Sequence, residues 1–197
     1  MSRPPVPRPR RLATLLVTVL AIAGLSACGK HPDKNARVVR AETEGHYLDV
    51  GELKYQVQVS RALNPYDAQD KPYLVGVPAE EGELAPDEVW FAVFLRVQNE
   101  TDRAQLPSAA IEIIDTQEQV FEPIGFEATN LFAYRSAEAI PAGEVLPLPN
   151  SPSYEIPARG ALLLFRLKNA TLDNRPLELK IENRGVKQQT GIIDLDV

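Results

Sequence analysis

A chain of 197 residues with 27 acidic and 21 basic side chains carries a formal charge of -6, and 44% of it is hydrophobic. The acidic surplus excludes recognition of nucleic acid or anionic headgroups through net charge, and the length leaves room for about one ordinary domain behind a targeting segment. With Cys28 as the only cysteine, no internal disulfide can form.

Residues Met1 to Arg11 contain Arg3, Arg8, Arg10 and Arg11 and no acid, and an uncharged apolar run follows from Leu12 to Leu25. These are the n-region and h-region of a signal peptide, and the run falls short of the roughly 18 apolar residues expected of a membrane-spanning helix. The run closes on Leu25-Ser26-Ala27-Cys28-Gly29, which resembles the bacterial lipobox. The resemblance implies cleavage before Cys28, lipid on its thiol and retention on the outer face of the membrane. Lasting retention needs more than one acyl chain, because each buried methylene contributes only about 0.8 kcal/mol. Arg10-Arg11 is followed by Leu-Ala-Thr, which does not complete a twin-arginine motif, so general secretion is the expected route. Loss of residues 1–27 removes four arginines and no acid, taking the formal charge from -6 to -10.

Residues 28–45 read as the lipidated cysteine and a polar tether. From Gly29 to Gly45 the chain could stretch to about 60 Å, or average nearer 25 Å as a flexible coil. Lys34 to Glu44 has the composition for a helical turn or two. His46 opens a different pattern, short runs of period two broken by proline, glycine, asparagine and aspartate, as in β-sandwiches.

Leu53, Tyr55, Val57 and Val59 alternate with Lys54, Gln56, Gln58 and Ser60, which predicts a strand with one face in the core and one in water. Residues Val89 to Val97 are apolar on both faces and rich in aromatic and β-branched side chains, so this strand belongs at the centre with both sides covered. Ala110 to Ile114 and Gln119 to Glu122 flank Asp115-Thr-Gln-Glu118 as a hairpin. Ala161 to Leu167 and Leu177 to Glu182 read as further strands, and Gly191 to Val197 as an edge strand blunted by its aspartates. Asn64 to Pro86 and Phe126 to Tyr154 hold most of the prolines and read as long loops, with a strand signal only at Tyr73 to Val77. The sum is an all-β antiparallel sandwich over residues 46–197.

Leu53-Lys-Tyr-Gln-Val-Gln-Val59, the strand ending in Val97-Gln-Asn99, and Ile140-Pro-Ala-Gly-Glu-Val145 ahead of Gly160-Ala-Leu-Leu-Leu-Phe165 together resemble a bacterial family. It is the telokin-like, immunoglobulin-like domain of unknown function of secreted proteins and lipoproteins in Gram-positive bacteria and actinobacteria. The match runs over roughly residues 47–182, and the insertion from Tyr66 to Asp87 departs from it. The resemblance implies an immunoglobulin-like sandwich and an extracytoplasmic address, with no catalytic residues.

The supply of reactive groups points the same way. His31 and His46 are the only histidines, one in the tether and one at the start of the domain, too few for a serine triad or a histidine-rich zinc site. No glycine-rich phosphate loop follows a strand, and Gly76, Gly82 and Gly125 stand alone. Asn99-Glu-Thr101 and Asn169-Ala-Thr171 fit a glycosylation acceptor but read as turns in a bacterial chain. Acids gather between residues 67 and 88, with Asp67, Asp70 and Asp87 as metal-ligand candidates whose spacing matches no known calcium loop. The loops also carry Tyr66, Tyr73, Phe126, Phe132 and Tyr134, rings that either pack down over the ends of the sandwich or stand exposed together as an interaction patch.

The expected function is that of a non-catalytic, membrane-anchored extracytoplasmic module, needing no cofactor, that meets an envelope protein or glycan through those aromatics. The alternative is an accessory metal- or small-ligand-binding lipoprotein using the acidic loop 67–88.

Overall fold

The computed structural model describes residues 37–183, 185 and 188–195. The expected signal peptide and lipobox, Cys28, His31 and the first part of the expected tether lie outside these residues. No helix among the described residues is long and apolar enough to cross a membrane.

Among the described residues, ten strands build two sheets. They are β1 (Arg37–Ala41), β2 (Leu48–Val50), β3 (Leu53–Leu63), β4 (Glu88–Gln98), β5 (Ala110–Ile114), β6 (Val120–Phe121), β7 (Val145–Leu146), β8 (Ala161–Lys168), β9 (Leu177–Asn183) and β10 (Gln189–Leu195). One sheet runs β1-β10-β9-β5-β6; the other runs β2-β3-β4-β7, with β8 also paired to β4. The sheets face each other across a core that includes Tyr55, Phe91, Leu95 and Phe165 from one side and Ile113, Leu179, Ile181 and Ile193 from the other. The protein is a β-sandwich.

The tether reading is corrected at its end. Residues 37–41 form β1, which runs parallel to β10 from Arg37 opposite Gln189 to Ala41 opposite Ile193, and Ala41 is buried. Backbone pairing with β10 organises a segment whose polar side chains disguise it, because a ladder uses main-chain groups that composition does not report. The sandwich is therefore not wholly antiparallel. Nor is β10 an edge strand, since β1 covers it on one side and β9 on the other.

The expected strands fall where the alternation puts them, and β5 pairs with β6 as the expected hairpin, Ile113 opposite Phe121. In β3, however, the register shifts between Val57 and Val59. A bulge of this kind adds one residue and reverses which face the following side chains take. Leu53, Tyr55 and Val57 point into the sandwich, whereas Val59 and Leu63 join a second apolar cluster behind it.

That second cluster is what β4 and β8 need. Phe91, Val93, Leu95 and Val97 fill the sandwich while Trp90, Ala92 and Phe94 face the other way, and β8 does the same with Leu162 and Leu164. The outward face is roofed by the two long loops. Ile124 N–H donates to Leu164 O at 2.7 Å, Leu162 N–H to Phe132 O at 2.7 Å, and Tyr134 N–H to Leu162 O at 2.8 Å. Each large side chain buried under this roof contributes about 1.5–3 kcal/mol, which makes the loops a third structural layer. Tyr73 to Val77 is not a strand; Lys71–Leu74 is a 3-10 turn with proline inside its first turn.

Candidate functional site: a cleft between the loop and the outer face of the second sheet

The chain leaves β3 at Leu63 and makes tight, self-bonded turns. Asn64 Oδ1 accepts the Tyr66 N–H at 2.9 Å, and Asp67 Oδ1 accepts the Gln69 N–H at 2.8 Å. Buried Asp70 holds the base of the loop: it accepts from Arg61 Nη2 at 2.5 Å and from the Asn64 N–H at 2.8 Å. The Arg61 guanidinium beside it, with that amide, holds the Asp70 carboxyl below the usual aspartate range. From the neighbouring loop, buried Asn130 donates to Tyr73 O and Val75 O at 2.9 and 2.7 Å and accepts from the Phe132 N–H. The two loops are thereby clamped together at Gly76, whose φ of 75° suits a residue without a side chain.

The far wall is an arch held by one arginine. Arg166 leaves β8 and contacts Glu88 Oε2 through Nε at 2.8 Å and Nη2 at 2.5 Å; it also donates to Glu81 O, and to Glu83 O at 3.0 Å. Glu88 Oε2 accepts the Ala85 N–H at 2.8 Å as well. The Arg166 guanidinium lies 5.9 Å from the Trp90 ring centroid, within the range of a cation–π contact. Its hydrogen bonds hold the Glu88 carboxyl below the usual glutamate range.

Between these walls lies a cleft of about 920 Å³. Leu63, Leu74, Val77, Leu84, Val89 and Trp90 line it, and Tyr66 stands at its rim with 88% of its surface exposed. Residues 64–90 carry seven acids and one lysine. Asp70 and Glu88 are paired with arginine; Asp67, Glu80, Glu81, Glu83 and Asp87 make no ion pair among the described residues. The site combines an apolar floor, a free aromatic ring and a negative surround.

A second hollow of about 590 Å³ lies at one end of the sandwich, where Glu52, Tyr55, Arg103, Gln105 and Ser108 contribute to its wall. Its polar groups already serve one another: Arg103 Nη2 and Gln105 Nε2 donate to Glu52 Oε2 at 2.7 and 2.8 Å, and Tyr55 Oη accepts the Ser108 N–H at 2.8 Å. We therefore take the first cleft as the site.

Of the five loop aromatics, the structure displays Tyr66 alone. Tyr73 packs edge-on against Phe94 and Phe132, with centroids 5.1 and 5.0 Å apart. Phe126 and Phe132 pack on the second apolar cluster. Tyr134 packs against the sandwich core and donates its hydroxyl to Ser108 O at 2.7 Å. The expected aromatic surface is corrected accordingly: Tyr73, Phe126 and Phe132 turn inward because β4 and β8 offer an outer apolar face with nothing else to cover it, and Tyr134 turns into the sandwich core. No group of three or more histidine, cysteine, aspartate or glutamate residues among the described residues could hold a metal ion. Asp67, Asp70 and Asp87 are not brought together, and Asp70 is committed to Arg61.

Arg166 and Trp90 are the residues of the candidate site that sequence reasoning missed. The signal for Arg166 was present, since it is the one charge in the run Ala161 to Leu167, and a charge inside a buried strand must find a partner.

Neither a protein-family model nor a curated protein sequence matches this chain. Solved structures share its general shape at a distance. An uncharacterized β-sandwich protein from Clostridium difficile 630 is 12% identical, with a TM-score of 0.46, over 84% of this chain and 100% of its own. The yjhA protein of Bacillus subtilis is 10% identical, with a TM-score of 0.47, over 79% and 100%. The lipoprotein candidate ycdA of Bacillus subtilis is 11% identical, with a TM-score of 0.43, over 78% of this chain and 39% of its own. Likenesses this remote assign no site and no activity.

Proposed function

We propose that this chain is a lipid-anchored extracytoplasmic module with an immunoglobulin-like sandwich, attached through Cys28, that works by holding a ligand in the cleft beneath Tyr66. It performs no catalysis in this reading. The lipobox at Leu25 to Gly29 and the basic, then apolar, leader support the address. The observation that carries the binding role is the cleft itself, about 920 Å³ in volume and floored by apolar side chains. A hollow of this size lies at the upper end of the range of ligand sites. It is also built rather than incidental: Arg61 with Asp70 secures one wall and Arg166 with Glu88 the other.

The test places a photo-crosslinking phenylalanine analogue at position 66, and separately at exposed Tyr47, in cells carrying the full chain. An adduct formed from position 66 and absent from position 47 supports the reading. Equal labelling from both positions, or none from either, would remove it. Address is tested separately: Cys28→Ala is expected to leave the membrane fraction or to persist as uncleaved precursor, whereas unmodified Cys28 in soluble wild-type protein would refute the anchor.

A further inference from the structure

We infer that the occupant of the cleft is an extended, cationic stretch of polypeptide, with aliphatic or proline side chains in the hollow and lysine or arginine against its surround. The inference rests on the cleft being the binding site, and it specifies what that site accepts.

Charge complementarity selects the occupant. The segments that form the walls hold five acids that make no ion pair among the described residues, Asp67, Glu80, Glu81, Glu83 and Asp87, and Glu83 lines the cleft directly. The two arginines beside the site cannot serve an anion, because Arg61 is bound to Asp70 and Arg166 to Glu88. An anionic occupant would therefore meet repulsion offset, among the described residues near the cleft, only by Lys71 and by Lys168, which stands opposite Glu88 at the end of β8. A cation gains from the acids and from the open face of Tyr66, since a guanidinium or ammonium within about 6 Å of an aromatic centroid is attracted to the ring. The floor of Leu63, Leu74, Leu84 and Trp90 asks for apolar contact between those charges. Extended proline-containing segments meet both demands: they dock on aromatic-walled grooves and lose little conformational freedom on binding.

The reporter is already in place, because Trp90 is the only tryptophan of the chain and lines the cleft. The purified full chain, held in phosphatidylcholine vesicles, is titrated with three proline-leucine peptides of equal length whose flanking residues are arginine, glutamine or glutamate, and Trp90 emission is followed. The arginine peptide should shift the emission saturably and bind at least about tenfold more tightly than the other two. Its advantage should shrink as salt rises from roughly 0.05 to 0.5 M. Glu80→Gln with Glu83→Gln should weaken it severalfold, and so should Tyr66→Ala, while Glu138→Gln, an exposed acid outside these segments, should not. Melting temperature checks that each variant is folded.

Equal binding of the three peptides would overturn the cationic occupant and leave the cleft standing. So would binding of a simple apolar probe, decanol, in the absence of any peptide binding. Silence of Trp90 towards every probe would overturn both the occupant and the site.

Discussion

Asn99 shows what one side chain does for the connections between strands. It is 0% exposed, and its amide donates to Arg103 O, Ile140 O and Pro141 O at 2.8, 2.9 and 2.9 Å. Its Oδ1 accepts from the Thr101 N–H and hydroxyl at 3.0 and 2.7 Å. Asn99→Ala strands several buried polar groups at once and should lower stability by about 1–3 kcal/mol; an unchanged urea midpoint would contradict this. Asp70 gives a pH-dependent counterpart. Its folded-state pKa is depressed, so the stability it contributes is present above the ordinary aspartate value near 3.9 and is lost as pH falls through the lower, native value. Asp70→Asn should therefore be less stable than wild type near neutrality, and the gap should narrow below about pH 4. A gap independent of pH between 7 and 2.5 would mean that the carboxylate charge is not what matters.

Among the elements, β1 is the most exposed to challenge. A chain beginning at Glu44 would lose the ladder from Arg37 to Ala41 and leave β10 as an open edge. It should melt at lower temperature and associate with itself as concentration rises, as uncovered edges do; a monomer of unchanged melting temperature would show β1 to be dispensable. Gly191 tests the same region from within, since a Cβ there would lie 2.4 Å from Val50 Cγ2 and 2.9 Å from Leu48 Cδ2. Gly191→Val should cost about 1–3 kcal/mol through overpacking, read as a shifted denaturation midpoint. These elements also mark how far the sequence could be read. The centrality of β4 was legible, because Trp90 and Phe94 alternate with Phe91, Val93 and Leu95 and only a strand covered twice tolerates that. The hairpin at Asp115 was legible from its turn residues. The bulge after Val57 was not, because the alternation of Leu53 to Val59 runs on unbroken through the register shift. β1 was invisible for a related reason: its stability comes from main-chain bonds to residues at the other end of the chain. For the site, Tyr66 could be named from its loop. The inward turn of Tyr73, Phe126 and Phe132 depended on which face of β4 lacked a partner, and that is a property of the assembled sheets.

At the scale of the whole molecule, the sheets are tied at one end by two phenols, of buried Tyr55 and half-buried Tyr134. Tyr55, from β3, accepts the Ser108 N–H; Tyr134 donates to Ser108 O; and the Ser108 hydroxyl donates to Glu182 O in β9 at 2.6 Å. Burial pushes the Tyr55 hydroxyl up to about 12, and burial likewise raises Tyr134 well above its ordinary value. Both must stay protonated in the folded state. Their contribution is complete below the free tyrosine value near 10 and is lost as pH rises from there through the raised, native values. Stability should thus decline from about pH 10 upward, less steeply in Tyr134→Phe; a flat profile to pH 12 would refute the link. The parallel pairing of β1 with β10 has a bearing on time as well as on strength. Its register joins residues 37–41 to residues 189–193, so the first described strand has no strand to pair with until almost the entire chain is available. Contacts of such long sequence separation form late. Under the export proposed above, that order would delay closure of the sheet until nearly all of the chain had emerged, keeping the polypeptide threadable for as long as a secretion channel needs it unfolded.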